Sequence, residues 1–185
     1  MAGAVITVSG PHGTGKSTYA KALAEALNLR YVCAGDLFRE LAKERKMGLQ
    51  EFSRIAAEGP AIDHIIDERT KEEAEKGGVV IDAQLGAWMV KKLADMKLLL
   101  TAPDEVRMRR IAEREGISIP SARKQTLSRE LVQKQRYKKY YGIDVDDLSV
   151  YDLRIDTSLH PIEKTKSMVI ETVRNYFNKK KSGGP

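Results

Sequence analysis

The sequence has one cysteine and no long hydrophobic run. Cys33 has no second cysteine among the 185 residues with which to form an intramolecular disulfide. This excludes a disulfide-stapled secreted fold and a zinc site built from several cysteines. No stretch approaches the roughly 18 apolar residues that a membrane helix requires, and the N-terminal segment lacks the basic start of a signal peptide. These absences predict a cytoplasmic protein without a membrane partner.

The chain also has only a modest excess of basic over acidic residues. The chain has 32 basic and 26 acidic residues, a net charge of +6, and the run Lys179 to Lys181 supplies three of those charges. A nucleic-acid-binding protein more often has a dense basic stripe over its folded part, whereas a modest excess of arginine also suits an enzyme that handles polyphosphates. Composition alone does not choose between the two. With 42% hydrophobic residues, a chain of this length can form one compact core. We expect a monomer with one domain over residues 1–181 and a disordered tail over 182–185.

Strand-like and helix-like segments alternate along the chain, which predicts an α/β fold with a parallel sheet covered by helices. Short β-branched apolar runs predict five strands, over residues 4–9, 30–33, 79–82, 96–102 and 153–156. Helical periodicity predicts the helices between them, over residues 36–46, 50–57, 61–76, 85–94, 104–115, 119–141 and 162–178.

Two segments are too long to be simple connections between strands. About 45 residues separate the second and third predicted strands, and another long segment follows the helix after the fourth strand. Ligands bind at the carboxyl edge of the sheet in open α/β folds. We therefore expect helical lobes over 37–76 and 116–141, above a core of 1–36, 77–115 and 142–178.

A glycine-rich segment follows the first predicted strand. Residues 10–17, Gly-Pro-His-Gly-Thr-Gly-Lys-Ser, fit the phosphate-binding pattern G-x-x-x-x-G-K-[ST], and a helix follows directly. Glycines let the loop curl so that its backbone N–H groups and the helix N-terminus face a phosphate. Lys16 can then reach the β- and γ-phosphate oxygens, and the Ser17 hydroxyl can bind Mg²⁺. The segment therefore predicts a nucleoside triphosphate site.

Arginines recur on the predicted helices near this loop. Arg107, Arg110 and Arg114 are spaced i, i+3, i+7 and share one side of a helix, and Arg129 and Arg136 share a face of the next helix. A single helical arginine is usually a solvated surface charge. Two sets of arginines beside a phosphate loop favour phosphoryl transfer, because the forked guanidinium group matches phosphate oxygens.

Six segments of the chain together resemble a known family. They are GPHGTGKST, AGDLFRELAKE, IDHIIDERT, LGAWM, TAPDEVRMRRIAEREGIS and RELVQKQRYKKYYGIDVDDLSVYDLRIDTS. With these segments the sequence resembles a nucleoside monophosphate kinase, and most specifically the archaeal type of cytidylate kinase. The resemblance spans almost the whole chain, and its most specific part lies between residues 129 and 158.

The resemblance implies a three-layer P-loop fold that transfers the γ-phosphate of ATP to CMP or dCMP with Mg²⁺. It places the lobe that binds the nucleoside monophosphate (NMP) at about 37–76 and an arginine-bearing lid at about 116–125. Gly35 and Arg39 would bind the acceptor, with Arg39 on its phosphate. ATP would bind Gly10, Pro11, His12, Gly13, Thr14, Gly15, Lys16, Ser17 and Thr18. The residues expected to stabilise the migrating phosphoryl group are Lys16, Arg110, Arg114, Arg129 and Arg136.

The segment after the third predicted strand departs from the family pattern. The family tends to have Glu-Gly-Arg-Leu-Ala there, whereas this chain has Asp-Ala-Gln-Leu-Gly at 82–86. Asp82 keeps a carboxylate that can orient magnesium-bound water, and Ser17 and Asp82 are the predicted metal residues. Gln84 replaces a phosphate-binding arginine with a neutral amide, so it can pair with a base but offers a phosphate no charge.

Three alternatives stay open from the sequence. Asp63 and Asp67, at i and i+4, either bind the amino group of cytosine or are acidic residues typical of a helix start. The acceptor is CMP or dCMP, or else AMP or UMP. Finally, the tyrosines at 137, 140 and 141, interleaved with basic residues, either pack against the sheet edge or bind RNA, as in an RNA-associated P-loop ATPase.

Overall fold

The computed structural model describes residues 2–181 and contains a five-stranded parallel sheet. The strand order is β2-β3-β1-β4-β5, and β1 lies at the centre between β3 and β4. The strands are β1 (Val5–Ser9), β2 (Arg30–Cys33), β3 (Val79–Asp82), β4 (Met96–Thr101) and β5 (Leu153–Asp156). The predicted fold class is therefore confirmed.

Eight α-helices connect the described strands or extend from them. They are α1 (Lys16–Leu27), α2 (Ala34–Glu44), α3 (Leu49–Glu58), α4 (Ala61–Glu75), α5 (Gly86–Met89), α6 (Asp104–Glu115), α7 (Ile119–Tyr141) and α8 (Ile162–Lys181). No helix within residues 2–181 is long and apolar enough to span a membrane.

The core lies on both faces of the sheet. On one face, α1 and α8 pack side chains such as Leu23 and Val173 against Ile6 and Leu98. On the other face, Val79 and Ile81 of β3 pack with Ala74 of α4 and with Val90. All five residues of β1 are buried, as expected for a central parallel strand covered on both sides. This packing fixes the carboxyl end of β1, from which the phosphate loop begins.

Helices α2, α3 and α4 form a lobe with its own apolar cluster. Phe52 of α3 is fully buried there and packs against Phe38 of α2, with 4.8 Å between ring centroids. Leu41 and Ile66 belong to the same cluster. The lobe coincides with the segment in which the resemblance places NMP binding.

Two predicted helices differ from the structure. The helix predicted over 85–94 is the four-residue α5, because the chain turns at 90–94 to enter β4 and the Asp95 carboxylate accepts a hydrogen bond from the Val5 N–H at 2.9 Å. Helix α2 begins at Ala34, so Asp36 lies in its first turn and does not cap it. The predicted tail over 182–185 lies outside the described residues.

The predicted lid region is the start of a long helix. The Ser118 hydroxyl caps α7 by accepting a hydrogen bond from the Ser121 N–H at 3.3 Å, as serine does at many helix N-termini. From there α7 runs without interruption to Tyr141. Lid residues and the residues that follow them therefore share one element.

Candidate active site

The loop between β1 and α1 has the backbone of a phosphate-binding site. Gly10 has φ +145° and Gly13 has φ +81°. A Cβ at Gly10 would lie 2.2 Å from the Leu100 carbonyl oxygen, and one at Gly13 would lie 2.7 Å from the Arg107 carbonyl oxygen. Both positions therefore need glycine for conformation and for space. This close packing holds the loop beside the N-terminus of α1.

Lys16 is partly buried within this loop. Its ammonium group donates a hydrogen bond to the Pro11 carbonyl oxygen at 3.1 Å, and the Thr14 hydroxyl donates to the same oxygen at 2.9 Å. Burial lowers the pKa of Lys16, and the nearby Asp82 carboxylate opposes that shift. A desolvated ammonium group at a helix N-terminus is strongly attracted to a phosphate.

Asp82, at the carboxyl end of β3, lies beside the phosphate loop. Its Oδ2 accepts hydrogen bonds from the Ser17 hydroxyl at 2.5 Å and from the Tyr31 hydroxyl at 3.0 Å. Burial and the Asp82 charge raise the pKa of Tyr31. A hydroxyl and a carboxylate are oxygen donors of the kind that Mg²⁺ prefers. No group of three or more His, Cys, Asp or Glu that could hold a metal is found in the described chain.

A cleft of about 1120 Å³ joins the phosphate loop to the lobe of α2, α3 and α4. We call it the central cleft. It brings together 15 of the residues predicted from the sequence: His12, Gly13, Gly15, Lys16, Ser17, Thr18, Gly35, Arg39, Asp63, Asp67, Asp82, Gln84, Arg114, Arg129 and Arg136.

Four predicted residues lie outside the lining of the central cleft. Gly10, Pro11 and Thr14 belong to the same loop but do not line the cleft, and the Thr14 hydroxyl donates to the Pro11 carbonyl oxygen. Arg110 donates to the Thr157 hydroxyl at 3.0 Å, to the Thr157 carbonyl oxygen at 2.7 Å and to the Gly13 carbonyl oxygen at 3.4 Å. The structure therefore places Arg110 against the outside of the loop, while Arg114 and Arg129 line the cleft.

Charged side chains on α4 and α7 meet at the end of the cleft beside the lobe of α2, α3 and α4. Arg136 forms an ion pair with Asp63 and donates to the Ala56 carbonyl oxygen at 3.3 Å. Its buried Nε has no hydrogen-bond partner among residues 2–181. The Tyr141 hydroxyl donates to Asp67 Oδ2 at 2.5 Å. Burial raises the pKa of Asp67 to about 6, although the hydrogen bond from Tyr141 opposes the shift.

Arg39 lies on α2 at the same end of the cleft. It pairs with Asp36 one turn earlier, and its side chain is 58% exposed. The hydrogen bond that Arg39 donates to the Asp36 carboxylate raises the pKa of the guanidinium group. An exposed guanidinium group whose partner lies on its own helix can turn toward a bound phosphate at small cost.

Sequence reasoning missed several residues of the cleft. Tyr137 and Tyr141 line it, and the Tyr141 ring lies 5.2 Å from the His64 ring of α4. These two tyrosines therefore face the lobe and do not pack at the sheet edge. Their spacing on α7 is the signal that could have predicted this position. Tyr137 and Tyr141 are spaced i, i+4, and they lie on the helix next to the side that carries Arg129, Val132 and Arg136.

Sequence reasoning also missed the contacts around His12. Arg107 is 4% exposed and contacts Asp104, Glu130 and the His12 carbonyl oxygen. The His12 ring donates to the Gln133 side-chain oxygen at 3.0 Å, and burial lowers the pKa of His12. The sequence grouped Arg107 with Arg110 and Arg114, and only the fold separates its buried role.

Comparisons with known proteins show what the chain is similar to. The profile of the cytidylate kinase-like family matches residues 5–159. A cytidylate kinase of Staphylothermus marinus is 49% identical over 94% of this chain and 98% of its own, and one of Aeropyrum pernix is 48% identical over 90% and 97%. Among solved structures, a shikimate kinase of Bacteroides thetaiotaomicron has a TM-score of 0.63 and 16% identity over 92% of this chain and 98% of that one. At that identity the last match concerns the fold alone.

Proposed function

The chain belongs to the cytidylate kinase-like family, and on that premise we infer that it transfers the γ-phosphate of ATP to CMP or dCMP, giving CDP or dCDP and ADP. The observation that carries this inference is the central cleft, which joins a phosphate loop to a separately packed lobe that bears acceptor-binding side chains. Phosphoryl transfer needs two substrates held together in this way, away from water.

ATP binds with its β- and γ-phosphates in the phosphate loop. The backbone N–H groups of the loop and the Lys16 ammonium group hold the phosphate oxygens. Mg²⁺ would be held by Ser17 and Asp82 together with those oxygens. When bound, the ion neutralises part of the charge that the transfer spreads over the phosphoryl group.

Arg114 and Arg129 supply further positive charge from the cleft wall. Both line the cleft, and Arg114 contacts only its neighbour Glu115 among the described ion pairs, with 66% of its side chain exposed. They are therefore available to stabilise the phosphoryl group as it moves between substrates. Arg110 is held on Thr157, and we propose that it supports the loop from outside.

The acceptor end is suited to a cytosine base. Cytosine presents an amino donor beside two acceptors, N3 and O2. The carboxylates of Asp63 and Asp67 accept from an amino group, and the unpartnered Nε of Arg136 donates to an acceptor. Uracil has a carbonyl where cytosine has the amino group, so it would face a carboxylate with no proton to share. Gln84 offers a neutral amide to the base or the sugar, and Arg39 binds the phosphate.

A coupled assay of ADP release with CMP, dCMP, UMP and AMP tests this function. We expect kcat/KM for CMP or dCMP to exceed that for UMP and AMP by at least about tenfold, since a mismatched hydrogen bond in a buried site is costly. Lys16→Ala protein, prepared in the same way, controls for contaminating kinases. Preference for UMP or AMP would contradict the cytidylate assignment. ATP turnover that responds to RNA and ignores every monophosphate would contradict kinase activity altogether.

The protein should act as a cytoplasmic monomer. The exposed large apolar residues of the described chain are spread over α7, the segment at 148–159 and the start of α8, whereas stable dimers need one continuous patch. Sedimentation at micromolar concentration should give one species near 20.7 kDa. A dimer under these conditions would contradict the expectation.

A further inference from the structure

The backbone of one phosphate-loop residue, His12, is held at both its N–H and its carbonyl oxygen by a largely buried ion pair. Glu130 Oε1 on α7 accepts from the His12 N–H at 3.0 Å, and Arg107 on α6 donates to the His12 carbonyl oxygen at 2.8 Å. Arg107 and Glu130 also bind each other, at 2.7 Å and 3.2 Å. Only 5% of the Arg107 side chain and 19% of the Glu130 side chain are exposed.

These contacts attach the loop to α7 and not merely to its own strand. Gln133, nearly one turn after Glu130, accepts from the His12 ring at 3.0 Å. Because charged groups in a low-dielectric interior are costly to separate, the loop and this part of α7 move together. The position of the loop backbone at His12 is therefore set by the position of α7.

The same helix contacts the acceptor lobe further along. Arg136 pairs with Asp63 of α4 and with the Ala56 carbonyl oxygen, and Tyr141 binds Asp67 of α4. With a rise of about 1.5 Å per residue, Arg136 lies about 9 Å and Tyr141 about 16 Å along the axis from Glu130. An uninterrupted helix over this distance moves as a rigid body, so a shift of the lobe is transmitted to the loop.

We propose that Glu130 is a positioning residue that couples the two substrate sites, because it fixes the phosphate loop to the helix that the acceptor lobe holds. Binding of the monophosphate orders the lobe on α7 and, through Glu130, the loop, so ATP then binds more tightly. By linkage, ATP must tighten the monophosphate by the same factor. This inference rests on the proposed two-substrate function but does not depend on which monophosphate is the acceptor.

The test measures binding, since binding separates coupling from chemistry. Calorimetry gives the Kd of β,γ-imido-ATP for the free enzyme and for enzyme saturated with the monophosphate that the wild type phosphorylates. The ratio of the two Kd values is the coupling factor, which we expect to be at least about fivefold in the wild type. In Glu130→Ala it should fall below about twofold, while the Kd of the monophosphate alone changes by less than about twofold.

Two further variants keep the test decisive. Glu130→Gln retains an oxygen that accepts from the His12 N–H but loses the charge that holds Arg107, so its coupling factor should lie between those of the wild type and Glu130→Ala. It also replaces Glu130→Ala if that protein does not fold. Lys124→Ala, at an exposed position of α7, should keep the wild-type factor.

The outcomes distinguish this inference from the proposed function. Equal coupling factors in the wild type and both Glu130 variants would overturn the role of Glu130. A coupling factor near one in the wild type would do the same. Phosphorylation of another monophosphate in place of CMP would overturn the acceptor assignment alone, and the coupling would then be measured with that acceptor.

Discussion

Lys16 and Arg39 both line the central cleft, but they should affect different kinetic constants. Lys16→Ala removes a charge that follows the γ-phosphoryl group into the transition state. We expect kcat to fall at least about 100-fold while the Kd for ATP changes much less. Steady-state kinetics together with ATP titration measure both. The exposed Lys43→Ala on α2 serves as control, and a variant that loses only ATP affinity would contradict the assignment.

Arg39→Ala removes a contact to the acceptor phosphate, a group present in both the ground state and the transition state. The KM for the monophosphate should therefore rise about tenfold or more, and the KM for ATP should stay nearly constant. The Asp36 partner becomes unpaired, but at an exposed position this costs little stability. A raised KM for ATP with an unchanged KM for the monophosphate would mean that the two pockets are assigned the wrong way round.

Asp67 should make stability depend on pH. Its pKa is raised from 3.8 to about 6 in the folded protein, so the folded state binds a proton more tightly than the unfolded state. The resulting stabilisation is complete below about pH 4 and is lost as the pH rises through about 6. Relative to Asp67→Asn, the wild-type free energy of unfolding should fall over this range by at most about 3 kcal/mol.

Urea denaturation of wild type and Asp67→Asn at a series of pH values measures this difference. Tyr141→Phe is the matched comparison, because it removes the hydroxyl that donates to Asp67 and favours the charged form. In that variant the loss of stability should extend to higher pH. Parallel curves for wild type and Asp67→Asn would contradict the raised pKa.

The helices α2, α3 and α4 can be weakened without unfolding the sheet, because they have a separate apolar cluster. Phe52 is fully buried in it, against Phe38 and beneath the Arg45 guanidinium group at 5.7 Å. Phe52→Ala removes about 3–5 kcal/mol of packing. We expect local opening of the lobe, a raised KM for the monophosphate and a nearly unchanged Kd for ATP.

Hydrogen exchange by mass spectrometry measures this effect by segment. Protection should fall in peptides from residues 34–75 and persist in those covering β1 and β4. Leu98→Ala, in the main core, is the control that should lower protection throughout. Uniform loss of protection in Phe52→Ala would show that the lobe and the sheet unfold together.

Strands were easier to predict than helix boundaries, for a physical reason. A buried parallel strand is a short apolar run, and all five predicted spans agree with the structure to within one residue, with the 30–33, 79–82 and 153–156 spans the same. Helix ends depend on tertiary contacts. Residues 85–94 have helical composition, yet the Asp95 contact to β1 and the entry into β4 end α5 at Met89.

The molecule as a whole shows which parts of the site a sequence can reveal. The phosphate loop is contiguous, so its spacing predicts it, and comparison with relatives confirms the resemblance drawn from the longer segments. Arg110 and Arg107 share a helix and a sequence pattern with Arg114, but their partners, Thr157 and Glu130, are 47 and 23 residues away. Only the folded chain separates supporting arginines from those in the cleft.

The central place of β1 in the sheet also constrains how the protein folds during synthesis. β1 precedes the other described strands along the chain, and among them it pairs with β3 and β4, from residue 79 and residue 96 onward. Closing such long loops costs entropy that grows with the logarithm of their length. During synthesis we therefore expect this apolar strand to stay unpaired while α2, α3 and α4, whose contacts are local, already pack. Early packing of these helices would shorten the effective loop and bring β3 toward β1.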